Sequence, residues 1–398
     1  MTTPTFALDF TGAVLDPRVS LTRAANTATV VDQSGAIVLV NANTPRFDYA
    51  NGVCRGLLIE ESRTNLLLNS VWSGAIDGTP GTAPTSWSIG FAGGSVVSVA
   101  SGKYAAGNAV RLSATAARQF LQQSISVAAN TTYTVTVSAL LHSGTMDMIN
   151  LIDAANSPAG STKSWELNGV VVSSATNIPA GNNTLTLKLA VAATAGTTTI
   201  RIGIGCATSR TGNVTFDIPQ AEDGAFATSY IPTTTTALLR NADVAAVTGS
   251  NFSDFWQASK GGTQVVAIPS TISGTRPLVQ FDDGTANEII ALQGNAADPE
   301  LYIVDGGTPQ VQLDAGTITA NASHTLTGWW DTNDCRARYD SGATVIDQTA
   351  TIPTVTQMRI GSDGTNYLNG HIATIGYYDR FSGQVYSRRK NKAVFRLL

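Results

Sequence analysis

The stretch PRFDYANGVCRGLLIEESRTNLLLNS, residues 45–70, is the densest run of specific side chains in this 398-residue chain. Large and charged residues alternate over residues 46–49, and Asn51-Gly52 is a strong signal for a two-residue hairpin turn. The apolar run at residues 56–59 has the composition of a buried strand. This stretch therefore predicts a β-hairpin with a structural role, not a catalytic one.

The same alternation recurs along the rest of the chain. Residues 133–138, 185–190 and 199–204 alternate apolar and polar side chains, which indicates strands with one buried face. Strands at roughly ten-residue spacing with turns between them are typical of antiparallel sandwiches. We expect an all-β fold with two antiparallel β-sandwich domains of jelly-roll type, the second one formed by residues 250–398.

Three segments resemble tailed-bacteriophage virion proteins of the fibre and spike type: PRFDY, GLLIEESRTNLLLNS and, much later, QAEDGAFATSYIPTTTTALLRNADV at residues 220–244. In that family the first motif ends an N-terminal region and the later one closes a carbohydrate-binding-like jelly roll. A concanavalin/laminin-G-like sandwich often follows. The resemblance implies a domain order that we state as an expectation: 1–66 virion-docking β region, 67–232 jelly roll, 233–249 linker, 250–398 concanavalin/laminin-G-like sandwich.

The resemblance also implies a location and partners. The protein would be made in the host cytoplasm and reside in the virion, where it would contact other capsid or tail proteins and host-surface polysaccharide. A homo-oligomer such as a trimer is expected. The closing run at residues 358–389 resembles the last strands of a concanavalin/laminin-G-like domain, in which a short helix follows. It departs from the usual family pattern at residues 381–384.

Residues 1–44 contain four strand-like runs separated by turn signals, at Phe6–Phe10, Val19–Thr22, Ala28–Val31 and Ile37–Val40. So few residues bury little apolar surface alone. Two interpretations remain: the region is a virion attachment arm, or it completes the sheet of the next domain.

Composition argues against several classes of protein. A net charge of −4 with 13% charged residues is unlike a nucleic-acid-binding surface, and the basic cluster at residues 388–396 is small. The first ten residues lack the pattern of a signal peptide, and no apolar run approaches the roughly 20 residues that span a bilayer. We therefore expect neither nucleic-acid binding nor membrane insertion. Three widely spaced cysteines, Cys54, Cys206 and Cys335, favour buried thiols over a disulfide framework or a metal site.

Motifs for catalysis are sparse, so we expect a protein that is not an enzyme. His142, His324 and His371 have no metal-ligand spacing, and no GxSxG elbow occurs, although a triad assembled across the fold stays open. A glycan-degrading depolymerase is the enzymatic alternative, because a glycosidase needs only two carboxylates. The available ones, for which we favour turn and capping roles, are Asp282, Asp283, Glu288, Asp331 and Asp334.

Glycan binding is favoured because sugar sites place aromatic faces beside polar side chains. The predicted ligand-binding residues are Trp329, Trp330, Asp331, Asp334 and Trp87. Adjacent Trp329 and Trp330 must point to opposite faces of a strand, so one of them is free to face solvent. No cofactor is expected, although the Asp282-Asp283-Gly284 turn offers oxygen ligands suited to a structural calcium ion. A capsid or tail decoration protein without a ligand is the remaining alternative.

Overall fold

The computed structural model describes residues 3–379 except 26, 92 and 116. The described chain is all-β, as expected, with antiparallel sheets and two helices of four residues each. The helix expected near residue 381 and the basic cluster at residues 388–396 lie outside the described residues. No helix in the described part is long and apolar enough to cross a membrane.

The first half of the chain contains β1 (Phe6–Asp9), β2 (Ser20–Thr22), β3 (Ala28–Val31), β4 (Ile37–Val40), β5 (Phe47–Ala50), β6 (Val53–Ile59), β7 (Arg63–Asn65), β8 (Ser88–Gly90), β9 (Gly94–Ala100), β10 (Asn108–Ala114), β11 (Gln119–Val127), β12 (Thr132–Ser143), α1 (Met148–Leu151), β13 (Ile152–Ala155), β14 (Thr162–Leu167), β15 (Val170–Val172), β16 (Gly181–Ala190) and β17 (Gly196–Ile204). The second half contains β18 (Gly212–Asp223), β19 (Leu238–Arg240), β20 (Val244–Thr248), α2 (Ser250–Ser253), β21 (Gly261–Pro269), β22 (Thr275–Asp282), β23 (Ile289–Asn295), β24 (Asp298–Asp305), β25 (Thr308–Asp314), β26 (His324–Trp330), β27 (Cys335–Tyr339), β28 (Val345–Asp347), β29 (Gln357–Ile360) and β30 (Gly370–Tyr378).

The chain forms two compact units, and each is assembled from separate stretches. Unit 1 comprises residues 1–24, 42–61 and 242–398, and unit 2 comprises residues 25–41 and 62–241. This division differs from the linear order expected from sequence. The strands of residues 1–66 belong partly to unit 1 (β1, β2, β5, β6) and partly to unit 2 (β3, β4, β7), so this region is not a separate body.

The expected linker at residues 233–249 also differs, because it contains β19 and β20. Thr233 is fully buried, and its hydroxyl donates to the Leu67 carbonyl at 2.5 Å. The run of threonines is polar, which is why the sequence predicted a linker here. A hydroxyl with a carbonyl partner is nevertheless buried at little cost, since its hydrogen bond is satisfied.

Unit 1 contains two large sheets that contribute to one hydrophobic core. The path of the first is β28-β27-β26-β21-β30-β6-β5, with β1 also paired to β30, and the second has the order β2-β20-β29-β22-β23-β24-β25. Both supply core side chains, among them Phe6, Phe281, Leu301, Trp330 and Tyr377. Because strand side chains alternate, the second sheet keeps a polar face opposite its core face.

The predicted hairpin at residues 47–59 is confirmed. Strands β5 and β6 pair antiparallel around Asn51 and Gly52, whose φ angles are 51° and 76°. Positive φ at both turn residues is what a type I′ turn requires. Gly56 in β6 also has positive φ, at 115°, and an added Cβ there would lie 2.2 Å from the Ile372 carbonyl oxygen. This position therefore accepts only glycine.

The motif residues of unit 1 form a buried ion cluster. Asp243 accepts from Arg23 Nη1 at 2.8 Å and also pairs with Arg46, whose Nη1 lies 2.7 Å from Glu60 Oε2. Burial disfavours the charge of Arg46, but the carboxylates of Asp243 and Glu60 outweigh it and raise the pKa of the guanidinium above its ordinary value. These contacts support the structural role predicted for residues 45–70.

Unit 2 has sheets of the orders β15-β14-β16-β12-β18-β10-β9 and β13-β17-β11-β8, with two-stranded pairs β19-β7 and β3-β4. The alternating runs of the sequence fall in β12, β16 and β17, as predicted. Their inward side chains form a core that includes Val135, Leu187 and Ile202. Cys206 and Cys335 are buried free thiols, and Cys54 is half-buried.

The later motif contributes a second buried polar cluster, in unit 2. Glu222 accepts from the Thr228 backbone N–H at 3.0 Å, the Thr228 hydroxyl at 2.6 Å and Gln220 Nε2 at 2.5 Å. Burial raises the pKa of this carboxyl to about 7, although its Thr228 partners and the nearby Arg240 act in the opposite direction. The Glu222 environment therefore favours the protonated side chain.

We expect unit 2 to lose stability as pH rises from about 4.5 to about 7. The folded state binds the Glu222 proton more tightly than the unfolded chain does. This tighter binding stabilises the folded state fully when the pH is below the unfolded pKa, and the stabilisation is lost as the pH rises through the folded pKa. The difference of about 2.5 pKa units corresponds to about 3 kcal/mol. Urea unfolding of wild type and Glu222→Gln across this pH range should show a shallower slope in the variant.

The matched control is Glu166→Gln in the same unit, where the carboxylate pairs with Lys188 at 2.5 Å instead of being enclosed. Glu166 lies outside the Glu222 cluster, so the fall in stability that Glu222 causes should persist in this control. An unchanged slope in Glu222→Gln would contradict the assignment.

Candidate functional site

The polar face of the second sheet of unit 1 carries a row of side chains in register. Arg359, Gln280, Ala291, Tyr302 and Gln312 are paired in turn across β29, β22, β23, β24 and β25. Directly paired residues share a face of a sheet, so these side chains lie side by side. The side chain of Ala291 is much smaller than those of its neighbours Gln280 and Tyr302, so it leaves space between them.

Two loops border this row and enclose a groove of about 780 Å³. One loop follows β22 and contributes residues 284–286, and the other follows β29 and contributes residues 363–366. Asp363 orders the second loop by accepting from the backbone N–H groups of Thr365 and Asn366 at 2.7 and 2.6 Å. The volume lies in the range of small-molecule sites. We call this cavity the polar groove.

Asp282 is a buried carboxylate in the wall of the polar groove. Its Oδ1 accepts from Gln357 Nε2 at 2.5 Å and from the Gly284 N–H at 2.8 Å. Its Oδ2 accepts from Gln280 Nε2 at 2.9 Å and from Arg359 Nε at 2.8 Å. Four donors therefore surround one carboxylate.

Glu300 is the second buried carboxylate of the groove, with 2% of its surface exposed. Oε1 accepts from Gln293 Nε2 at 2.7 Å, and Oε2 accepts from Gln312 Nε2 at 3.0 Å. The amide nitrogens must face the carboxylate, since an amide oxygen at that distance would repel it. The amide groups are thereby fixed in orientation.

The groove combines an acidic charge with one aromatic face. Its lining includes the carboxylates Asp282, Glu300 and Asp363 but a single guanidinium, that of Arg359. Half-buried Tyr302 is the aromatic residue of the lining. Such a surface offers many hydrogen-bond acceptors and one apolar ring.

Two of the tryptophans predicted to bind ligand are buried in hydrophobic cores. Trp330 is fully buried in unit 1, with its ring centroid 5.6 Å from that of Phe281. Trp87 is 6% exposed in unit 2, where Nε1 donates to the Leu68 carbonyl at 3.1 Å and the ring packs on Trp72. Neither ring is open to a ligand, because Trp330 has no exposed surface and Trp87 very little.

Trp329 points away from the core, as its adjacency to Trp330 predicts. Its half-buried indole lies over Gly262 of β21, where an added Cβ would be 2.5 Å from Trp329 Cδ1. Asp331 and Asp334 form the turn after β26, with Asp334 paired to Arg336 at 2.7 Å and Asp331 accepting from the Thr332 N–H at 2.8 Å. Glycan contact by these three residues stays a prediction.

The other carboxylates considered for catalysis occupy turns. Asp283 caps its own turn by accepting from the Thr285 N–H at 2.8 Å, and Glu288 accepts from the Gly306 N–H at 3.0 Å. Of the five carboxylates that the sequence offered for catalysis, only Asp282 lines the groove. Within residues 3–379, no group of three or more His, Cys, Asp or Glu side chains is arranged to hold a metal ion.

The histidine with the most triad-like surroundings is His324. Nδ1 lies 3.1 Å from Asp340 Oδ2, and Nε2 lies 3.1 Å from the Thr319 hydroxyl. Nε2 is also 3.0 Å from the Thr319 carbonyl oxygen, which only accepts, so this nitrogen carries a proton. A protonated Nε2 cannot take the hydroxyl proton, and the contacts instead tie the loop before β26 to the turn that follows β27.

Sequence reasoning missed most of the groove. The missed residues are Gln280, Gln293, Glu300, Tyr302, Gln312 and Arg359. Period-two alternation places each of them on the polar face of its own strand, and that signal was available in the sequence. The order of the strands in the sheet could not be predicted from the sequence, and only that order brings these residues together.

No protein-family model matches this chain, and no curated protein shows significant similarity to it.

Proposed function

We propose that this chain is a bacteriophage virion protein of the fibre, spike or decoration type and that its polar groove binds a host-surface glycan. The virion assignment rests on the resemblance of residues 45–70 and 220–244 to that family. The same resemblance supports a jelly-roll arrangement for unit 2 and a concanavalin/laminin-G-like sandwich for unit 1. Partners in the particle and a trimeric assembly are part of the proposal.

The chemistry of the groove carries the glycan assignment. Sugars present many hydroxyl groups around a ring whose faces are partly apolar, and their sites combine oriented polar side chains with an aromatic ring. The groove has three amides fixed by buried carboxylates and the ring of Tyr302 beside them. A fixed polar lining loses little side-chain entropy when a ligand binds.

Binding fits this groove better than hydrolysis does. The two carboxylates lie on strands on either side of β23. Asp282 is paired with Ile289 of β23, and Glu300 is paired with Gln293, which lies four residues further along the same strand. That step and two strand spacings separate the Cα atoms by roughly 16 Å. The two carboxyl groups of a glycosidase lie about 5 to 10 Å apart. The depolymerase alternative would need Asp282 and Glu300 to act together across that separation, so binding is the function that the groove supports better.

The proposal predicts that filling the groove abolishes glycan binding. Ala291→Trp places a large side chain between Gln280 and Tyr302, and Tyr302→Ala removes the aromatic ring, for which we expect about tenfold weaker binding. The measurement is binding of the full chain, displayed in many copies on beads, to a panel of neutral, acidic and amine-bearing oligosaccharides. Display in many copies compensates for weak single sites.

The matched control is Ala7→Trp, an exposed position on β1 outside the groove, which should bind as the parent does. Thermal unfolding separates lost binding from lost folding, and Tyr302→Ala serves if Ala291→Trp does not fold. If the parent binds no oligosaccharide, or if both folded groove variants bind like the parent, the glycan proposal fails. Decoration without a ligand then becomes the better interpretation, and immunolabelling of purified particles tests it.

A further inference from the structure

We infer that the polar groove selects saccharides without acid groups, whether neutral or amine-bearing, and that Glu300 is the residue that accepts their hydroxyl or ammonium hydrogens. This inference rests on the proposed function of the groove. It adds the class of saccharide and assigns different roles to the two buried carboxylates.

Asp282 has no acceptor capacity left for a ligand. A carboxylate has about four lone-pair sites, and four protein donors fill those of Asp282: Gln357, Gly284, Gln280 and Arg359. The residue is therefore a positioning residue. It orients Gln280, Gln357 and Arg359 around the wall of the groove.

Glu300 keeps half of its acceptor capacity. Gln293 donates to one oxygen and Gln312 to the other, which leaves about one lone-pair site on each. The side chain is only 2% exposed and lines the groove, so a ligand donor that reaches it forms a charge-assisted bond with little competition from water. Such bonds are the strong ones in a polar site.

The amides around the carboxylates add further acceptors. Because Gln280, Gln293 and Gln312 direct their nitrogens to Asp282 or Glu300, their carbonyl oxygens are left for the groove. A ligand rich in O–H or N–H donors satisfies this set of oxygens. A ligand rich in acceptors does not.

The charge of the lining excludes acidic saccharides. Three carboxylates face one guanidinium, and Arg359 already pairs with Asp282 at 2.8 Å. Bringing a uronate or sulfate into this groove adds like-charge repulsion in a partly desolvated site, where charges interact more strongly than in water. An ammonium group gains from the same field.

The test compares three sets of oligosaccharides of equal length: glucosamine oligomers with free amines, the same oligomers fully N-acetylated, and uronate oligomers. The parent should bind the first two and not the third, and it should bind the free amine more tightly, with the advantage shrinking at high salt. Glu300→Gln should remove that advantage and weaken binding of the neutral form about tenfold or more.

The control is Glu288→Gln, the same substitution just before β23 but outside the groove lining, which should leave all three affinities unchanged. Uronate binding by the parent, or tighter binding in Glu300→Gln, would overturn the inference while the glycan function stands. If none of the three forms and no member of the wider panel binds, the proposed function itself fails. Equal loss in the Glu288 control would assign the effect to the overall charge of the sheet and would also overturn the role of Glu300.

Discussion

Deletion of residues 1–22 should leave unit 1 unfolded. These residues contribute β1, which pairs with β30, and β2, which pairs with β20, so both large sheets of the unit lose a strand. Phe6 and Leu8 are 2% exposed and Phe10 is fully buried. Losing one such side chain costs about 3 to 5 kcal/mol, and a whole domain is stable by only about 5 to 15 kcal/mol.

Hydrogen exchange measured on peptides provides the readout. Peptides from β21 to β30 should lose protection in the deletion variant, while peptides from β10 to β18 of unit 2 serve as the internal control. A point substitution separates the core contribution from the loss of strands: Phe10→Ala should cost about 3 to 5 kcal/mol. Val14→Ala, at a position 68% exposed, should cost little. A deletion variant with native protection in β21 to β30 would instead support residues 1–66 as a separate docking region.

The first forty residues illustrate what the sequence predicts well. Alternation and turn signals located β1 to β4 closely, because both are local properties of the chain. The partners of these strands were not predictable. Ala28–Val31 and Phe6–Asp9 look alike in sequence, yet one pairs within unit 2 and the other with a strand more than 360 residues away. Pairing at that separation is decided by the whole core.

The candidate site shows the same limit. Adjacency predicted that Trp329 and Trp330 point to opposite faces, and the structure agrees, with Trp330 in the core. Which ring is buried depends on the packing partners Phe281 and Tyr377, and these come from other strands. The groove is a stronger case: Gln280 and Gln312 each look like an ordinary polar strand residue until register places them in one row.

Asp243→Asn should destabilise unit 1 by about 3 to 5 kcal/mol, the usual cost of removing one partner from a buried ion pair. The carboxylate contacts both Arg23 and Arg46, and its side chain has no exposed surface. Its loss changes the charge balance of the cluster from two cations against two anions to two against one. The amide also accepts at one oxygen only, whereas Asp243 Oδ1 and Oδ2 together accept from both guanidinium groups and from the Glu60 N–H at 3.1 Å.

Denaturant unfolding followed by hydrogen exchange in unit 1 measures this effect, and Asp283→Asn is the matched control. Asp283 is an exposed turn residue, and Asn keeps an acceptor oxygen for the Thr285 N–H, so the same substitution there should change stability far less than Asp243→Asn does. A loss below about 1 kcal/mol in Asp243→Asn would show that the cluster does not hold unit 1 together. The expected loss would indicate that Arg46, Glu60 and Asp243 fix the segments in which they stand. Each lies near a point where the chain enters or leaves unit 1, and a buried charge that needs its partners allows few other arrangements of those segments.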